Sequence, residues 1–241
     1  YGKKIQPTGK AQWGYMPQGG ALGFLMHLWQ NGGAYLSSDL TAPLFNSREG
    51  VEALEWQLDL MYTHKITPTP NFWDEQEILN GQVGIWERAL SGLSFFRVNA
   101  PNLNWRTARL ARNVRQTSME MSEGSIIFSA SKNKDAAWEW IKFLSMDPEA
   151  GIIFYQEYGQ LPTTKSVLMS EYFQSDPLIA PAIWHLLNDL EARPIMPQAQ
   201  ELIDILDEEH QLALYRRKSP ADALASAEAR FREIIAKIEW N

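Results

Sequence analysis

Apolar side chains recur at helical spacing along most of this chain. They dominate residues 21–29, and Asn31-Gly32-Gly33 then predicts the end of a helix, because these residues tolerate positive φ. The next predicted helix can be capped by Asn46 or Ser47. Its apolar residues fall on one helical stripe, which consists of Val51, Leu54, Leu58 and Met61.

The second half of the chain carries clear helix boundaries. Asn133 can cap one helix, and Asp147-Pro148-Glu149 opens the next with a preferred cap, a proline and an acid in the first turn. Gly159 predicts the end of that helix. Ser219-Pro220-Ala221-Asp222 predicts a capping box for the last helix. Two further amphipathic helices are predicted between these, over residues 177–190 and 198–217.

Strand-like segments are few. Residues 11–15 predict a short strand. A short acidic helix is predicted over residues 74–79 and ends at Asn80-Gly81, and residues 82–86 then predict a second strand. Residues 125–129 have the clearest strand character. The predicted fold class is therefore α/β, helix-rich and short of strands.

Composition narrows the functional classes. The 241 residues, 45% of them hydrophobic, can form one large domain or two small ones. A net charge of −7, spread along the chain, disfavours nucleic acid and anionic membrane surfaces as partners. No apolar run is long enough to predict a transmembrane segment. The absence of cysteine excludes disulfides, thiolate nucleophiles and thiolate metal sites.

Motifs for catalysis are missing from the sequence. No histidine lies near a Gly-x-Ser-x-Gly elbow, and no two share a helical face at metal-ligand spacing. The four histidines are His27, His64, His185 and His210. No glycine-rich loop with a following lysine could cradle a phosphate. The sequence therefore predicts no catalytic residue, no metal and no cofactor.

Two other classes remain open on these observations. Ten Trp residues in an acidic chain are consistent with carbohydrate binding, although such rings also dominate protein cores. One open class is a glycoside hydrolase, which would need two carboxylates facing each other across a cleft. The candidate carboxylates are Asp74, Glu75, Glu77, Glu87, Glu120 and Glu123. A helical surface carbohydrate-binding or scaffold protein would lack central strands, whereas segments 82–86 and 125–129 predict one or two small sheets.

Four segments, taken in order, are more informative than any single residue. They are LWQNGGAY (28–35) with residues 37–39 and 45–54, NGQVGIW (80–86), residues 131–144 with 147–149 and 159–163, and SPADALASA (219–227). Together they resemble the extracellular solute-binding proteins of ABC transporters, the family that includes maltose-binding protein. The sequence departs from the family at Glu123-Gly124, in place of Gly-Gly, and at Glu87-Arg88, where small residues are common.

The resemblance implies a type II periplasmic-binding-protein-like fold that comprises most of the C-terminal lobe and part of the N-terminal lobe. Residues 1–122 correspond to the C-terminal lobe, residues 123–169 cross to the N-terminal lobe, and residues 170–241 return. The first part of the N-terminal lobe is then expected to precede Tyr1 in a longer protein.

The resemblance also implies a function, namely non-catalytic capture of a solute by lobe closure and its delivery to ABC permease subunits. The expected ligand is a sugar or oligosaccharide, and the expected location is extracellular or periplasmic, with a lipid anchor if a leader carries one. By position, the expected ligand-binding residues are Gln18, Gly19, Trp86, Glu87, Arg88, Ser91, Arg193 and Met196. The alternative for this set is that Trp86 is a core residue at a strand end and that Glu87 and Arg88 form a surface ion pair.

Overall fold

A computed structural model describes residues 13–70, 75–121 and 124–238, and most of the regular structure in these ranges is helical. The helices are α1 (Gly20–Gln30), α2 (Arg48–Leu58), α3 (Glu75–Leu79), α4 (Gly92–Asn99), α5 (Lys134–Met146), α6 (Pro148–Tyr158), α7 (Lys165–Leu168), α8 (Glu171–Gln174), α9 (Ala180–Asn188), α10 (Ala199–Leu214) and α11 (Pro220–Ile235). A π-helical turn, Asp59–Thr63, extends α2. None of the helices within the described ranges combines the length and apolar character needed to cross a bilayer.

The chain divides into two compact units. Unit 1 comprises residues 1–87, 110–119 and 189–241, and unit 2 comprises residues 88–109 and 120–188. These boundaries differ from the predicted segments 1–122, 123–169 and 170–241, most clearly because residues 88–109 belong with residues 120–188. The assignment of the segments to lobes stays a prediction, since compactness does not identify a lobe.

Unit 1 is built on four helices around one apolar cluster. Helix α1 is apolar on nearly every side and lies against α2 and α10, while α10 lies against α11. Phe45 and Phe231 meet edge to face in the cluster, with ring centroids 4.8 Å apart. On α11, Leu224, Ala227 and Phe231 are fully buried and belong to this cluster. Burial of these faces is the main source of stability for the unit.

Local chemistry fixes several helix boundaries. The Ser47 side chain accepts from Gly50 N–H, and Ser219 accepts from Asp222 N–H, so both predicted caps are confirmed. Asp147 accepts from two backbone N–H groups at the start of α6, and Gly159 ends that helix at φ 72°. Asn133 is the N-cap residue of α5, as predicted, but its side chain makes no capping hydrogen bond.

The strand predictions are only partly confirmed. Residues 82–86 pair with the chain near residues 13–16 through isolated parallel bridges, Trp13 with Val83 and Met16 with Trp86, while Ala11 and Gln12 lie outside the described residues. The regular strands found are β1 (Ser118–Met119) and β2 (Leu190–Glu191), which pair in parallel. The predicted strand at 125–129 is wrong: no described residue pairs with it in a ladder. A β-prone sequence forms a strand only where a neighbour accepts its backbone hydrogen bonds.

Unit 2 has a smaller core and many exposed apolar side chains. Leu93, Tyr155, Phe173 and Ile179 lie at the centre of the core, but α5 buries none of its residues. Ile126 and Phe128, in the segment wrongly predicted as a strand, are 74% and 73% exposed. The other exposed apolar residues of α5 and α6 are Trp138, Trp140, Phe143, Met146, Ile153, Phe154 and Tyr158. So many exposed apolar side chains are typical of a region that further polypeptide covers.

Candidate functional site

The loop Met16–Gly20 lies beside the end of the 82–86 segment in unit 1. Met16 N–H donates to Ile85 O at 2.8 Å, and Glu87 N–H donates to Met16 O at 3.0 Å. This parallel pairing places Trp86 alongside the loop, with its side chain half-buried. Gly19, which is exposed, then forms the N-cap of α1. A loop, an aromatic ring and a helix N-terminus therefore meet at one edge of unit 1.

The Glu87 carboxylate turns inward and holds this loop. Its Oε2 accepts from Gln18 N–H at 3.2 Å and lies 3.1 Å from His27 Nε2, and Tyr15 also hydrogen-bonds to the carboxylate. Burial opposes ionisation of Glu87, but these hydrogen bonds outweigh it and lower the pKa of its carboxyl below the usual value. Burial, reinforced by the Glu87 charge, raises the pKa of the Tyr15 hydroxyl well above its usual range.

A chain of buried polar side chains continues from Glu87 into the unit. His27 Nδ1 lies 2.7 Å from Gln57 Nε2, and Gln57 Oε1 lies 2.7 Å from His210 Nε2. Burial lowers the pKa of His210 to about 4, so its ring is neutral at physiological pH. The His27 ring also meets Trp56 edge to face, with centroids 4.9 Å apart. These contacts join α1, α2 and α10 behind the loop.

A second carboxylate holds the other end of the loop. Asp207 on α10 accepts from Ala21 N–H at 2.8 Å and so satisfies one of the free N–H groups at the start of α1. Gln211 donates to the other Asp207 oxygen at 2.7 Å. Gly20 adopts φ 71° at this point, and a Cβ there would lie 2.8 Å from the Asp207 carboxylate. The positive φ therefore favours glycine at position 20, and the close Asp207 carboxylate adds to that preference.

The predicted ligand-binding residues fall in different places. Gln18, Gly19, Trp86 and Glu87 are brought together, although the Glu87 carboxylate is buried and its Oε2 accepts from within the unit. Arg193 and Met196 also lie in unit 1. Burial raises the pKa of the Tyr35 hydroxyl, and the nearby Arg193 charge opposes that rise. Met196 packs against the apolar core.

Two predicted residues fall outside unit 1. Arg88 and Ser91 belong to unit 2, where Ser91 precedes α4. The alternative of a surface ion pair between Glu87 and Arg88 is wrong for Glu87, which is buried and pairs with His27.

Two of the carboxylates considered for hydrolysis are already engaged by other groups of the protein. Glu77 accepts from the Trp13 indole N–H at 2.8 Å, and Glu87 is engaged as described. Asp74 and Glu123 lie outside the described residues. No group of three or more His, Asp or Glu residues suited to a metal ion occurs within the ranges that the structure describes.

Comparison with known proteins identifies the family. A family model for bacterial extracellular solute-binding proteins matches residues 1–181. The chain belongs to this family. A protein of Brucella abortus named as a binding protein is 24% identical over 244 residues, which cover 97% of this chain and 59% of the relative.

Solved solute-binding structures share the fold. The maltose/maltodextrin-binding domain MalE of Bdellovibrio bacteriovorus, bound to maltotriose, matches with a TM-score of 0.82 at 16% identity, over 97% of this chain and 63% of that one. An ABC substrate-binding protein of Listeria monocytogenes in complex with cycloalternan matches with a TM-score of 0.77 at 21% identity, over 93% and 59%. The chain thus spans about 60% of the length of these solute-binding proteins.

Several residues that shape this edge of the solute-binding fold were missed by sequence reasoning. Tyr15, His27, Gln57, Asp207 and His210 all lie behind the loop. The contacts that join Gln57 to the two histidines span 30 and 153 residues of sequence. No local pattern predicts such contacts, and a histidine on an apolar helix face was the one available signal.

Proposed function

We propose that this chain belongs to the solute-binding component of an ABC importer that captures a sugar or oligosaccharide without transforming it. The observation that carries the proposal is the meeting of loop 16–20 with the half-buried Trp86 ring at one edge of unit 1. Family membership supports it, and the maltotriose and cycloalternan in the related structures indicate the class of ligand. An aromatic face with a few convergent polar groups is the usual construction of such a site.

Within the site, Trp86 supplies a flat apolar surface for a sugar ring, and the loop supplies polar contacts through Gln18 and Gly19. Arg88, Ser91, Arg193 and Met196 complete the proposed set. The ligand closes the protein around itself, and the closed state is the one that the permease recognises.

The chain works, in this proposal, as part of a longer protein outside the cytoplasm, in the periplasm or at the cell surface, with a lipid anchor as one means of retention. Its relatives are longer, and many apolar side chains of α5 and α6 are exposed. In this proposal, further residues cover these side chains and complete the N-terminal lobe. Residues 123–169 contribute to that lobe, as the sequence predicts.

Ligand titration of the natural full-length protein tests the proposal. We expect Trp86→Ala to lower the affinity for maltotriose or a related oligosaccharide about tenfold or more, because aromatic rings carry much of the energy of a binding site. Tyr215→Ala, which removes an exposed aromatic ring just after α10 in unit 1, serves as the control and should leave affinity unchanged. Equal affinity for the wild type and Trp86→Ala would contradict the assigned site, and release of cleavage products would contradict the assigned class.

A further inference from the structure

The buried chain of side chains behind loop 16–20 has a role that ligand contact does not explain. We propose that Glu87, His27 and Gln57 are positioning residues, which hold the backbone of the loop in its ligand-ready conformation and do not themselves touch the ligand. The relevance of the loop to ligand rests on the proposed function above. The positioning itself rests on hydrogen bonds within unit 1.

The hydrogen-bond chain has one favourable direction. The Gln57 amide offers its N–H to His27 Nδ1 and its oxygen to His210 Nε2. His210 must therefore carry its proton on Nε2, and His27 must leave Nδ1 free to accept. His27 then holds its own proton on Nε2, where it donates to the Glu87 carboxylate. All three contacts are satisfied when both rings are neutral and Glu87 is ionised.

The opposite arrangement turns the Gln57 oxygen towards His27 and its N–H towards His210, and it is less favourable for both histidines. It would place a proton on His210 Nδ1, which is buried and has no hydrogen-bond partner in the part of the chain that the structure describes. A buried donor without an acceptor is strongly disfavoured, whereas the direction above leaves only an unused lone pair there. At the other end, a neutral His27 would present a lone pair to the oxygen of Glu87, and this bond would survive only with a doubly protonated ring. The geometry therefore fixes the tautomers of both histidines.

Glu87, at one end of this hydrogen-bond chain, contacts the loop backbone. The Glu87 oxygen that accepts from His27 also accepts from Gln18 N–H, so the orientation of the carboxylate sets the position of the loop backbone. Helix α10 contributes twice, through His210 at the far end of the chain and through Asp207, which accepts from Ala21 N–H. The loop is thus held at Gln18 by Glu87, whose hydrogen-bond chain ends on α10, and just beyond its end, at Ala21, by Asp207 of that same helix.

Glu87 is poorly placed to contact a ligand. Its side chain is 6% exposed, and its carboxylate already accepts from His27, from Gln18 N–H and from Tyr15. A ligand would have to displace at least one of these donors to reach it. The position next to Trp86 in sequence suggested ligand contact, but the contacts within the unit indicate support of the loop from behind.

Substitutions at position 87 separate positioning from ligand contact. Glu87→Gln keeps an oxygen that can accept from His27 and from Gln18 N–H, whereas Glu87→Met removes it at similar size. Gln57→Met removes the hydrogen bonds of Gln57 to both His27 and His210. Gln200→Met, at an exposed glutamine of α10 that donates to Asp204 one turn away, is the matched control for that change.

NMR spectroscopy of the natural full-length protein provides the first measurement. Imidazole ¹⁵N shifts of the wild type should show the Nε2–H tautomer for both His27 and His210. The Gln18 amide should exchange about tenfold or more faster in Glu87→Met than in the wild type, and close to the wild-type rate in Glu87→Gln. Gln57→Met should release the His210 tautomer, and Gln200→Met should not. An Nδ1–H tautomer at either ring in the wild type, or unchanged Gln18 exchange in Glu87→Met, would overturn the proposal.

Ligand affinity of the full-length protein provides the second measurement. Positioning predicts that Glu87→Met loses about tenfold or more in affinity, while Glu87→Gln stays near the wild type. If Glu87→Gln keeps slow Gln18 exchange but loses affinity as Glu87→Met does, the carboxylate contacts the ligand and the proposal is wrong. If no saccharide binds any form, the proposed function fails, while the NMR measurement still decides whether these residues position the loop.

Discussion

Gly23 in α1 packs directly against the loop 16–20, and its replacement should disturb the site in a defined way. A Cβ at position 23 would lie 1.8 Å from the Gln18 carbonyl oxygen. Cβ atoms do not approach an oxygen closer than 3.0 Å, so the carbonyl must move by more than 1 Å in Gly23→Ala. This movement would pull Gln18 N–H away from Glu87, since both groups belong to the same short loop.

The size of the effect follows from two opposing terms. Alanine in place of glycine stabilises a helix interior by about 1 kcal/mol. Overpacking of a close contact costs about 1–3 kcal/mol, and a clash with backbone belongs at the upper end of that range. We therefore expect Gly23→Ala to lower the free energy of unfolding by about 2 kcal/mol, measured by urea denaturation with Trp fluorescence.

A second glycine offers a matched control. A Cβ at Gly50 in α2 would lie 1.9 Å from the Phe45 carbonyl oxygen, a clash of the same kind in the core and not at the loop. Gly50→Ala should lose similar stability and leave ligand affinity unchanged, whereas Gly23→Ala should lose both. A Gly23→Ala protein as stable as the wild type would refute the steric reasoning. Equal loss of affinity in both variants would refute the link between the loop and the ligand.

Three further predictions concern stability. Ser219→Ala should lower the free energy of unfolding by about 1 kcal/mol in urea denaturation, because it removes the cap of α11. Glu209 is buried, yet hydrogen bonds from Lys218 and Ser226 outweigh burial and lower its pKa, so the stability it contributes is present near neutral pH and is lost as pH falls below about 4. Melting temperatures should therefore drop less between pH 6 and pH 3 in Glu209→Gln than in the wild type. Asp176→Ala, which leaves the buried Tyr155 hydroxyl without its acceptor, should cost about 1–3 kcal/mol and speed amide exchange in unit 2 and not in unit 1.

The parts of the fold that sequence predicts well are those fixed by neighbours in the chain. Ser47, Asp147 and Ser219 cap their helices because a short polar side chain reaches an N–H group two or three residues ahead. Segment 125–129 has an equally clear strand pattern in the sequence, but a strand also needs a partner strand. None of the described residues supplies one. Helix propensity is satisfied within a segment, whereas strand formation depends on the rest of the protein.

The candidate site shows the same distinction. The position of Trp86 beside the loop 16–20 follows from pairing between segments whose strand character is visible in the sequence. The inward turn of Glu87 depends on His27, 60 residues away, and on Gln57 and His210 behind it. An acidic residue after a strand looks the same in sequence whether it faces ligand or core. The buried partners that decide between the two come from helices whose packing is not encoded locally.

Isothermal titration calorimetry of the natural full-length protein with maltotriose and related oligosaccharides tests the central claim most directly, because one heat trace distinguishes binding from turnover. The account predicts discrete heats that saturate at a fixed stoichiometry with at least one saccharide, and that weaken in Trp86→Ala. Continuous heat production after each injection would show bond cleavage and would contradict capture without catalysis. Saturable binding of the same strength in Trp86→Ala would contradict the site.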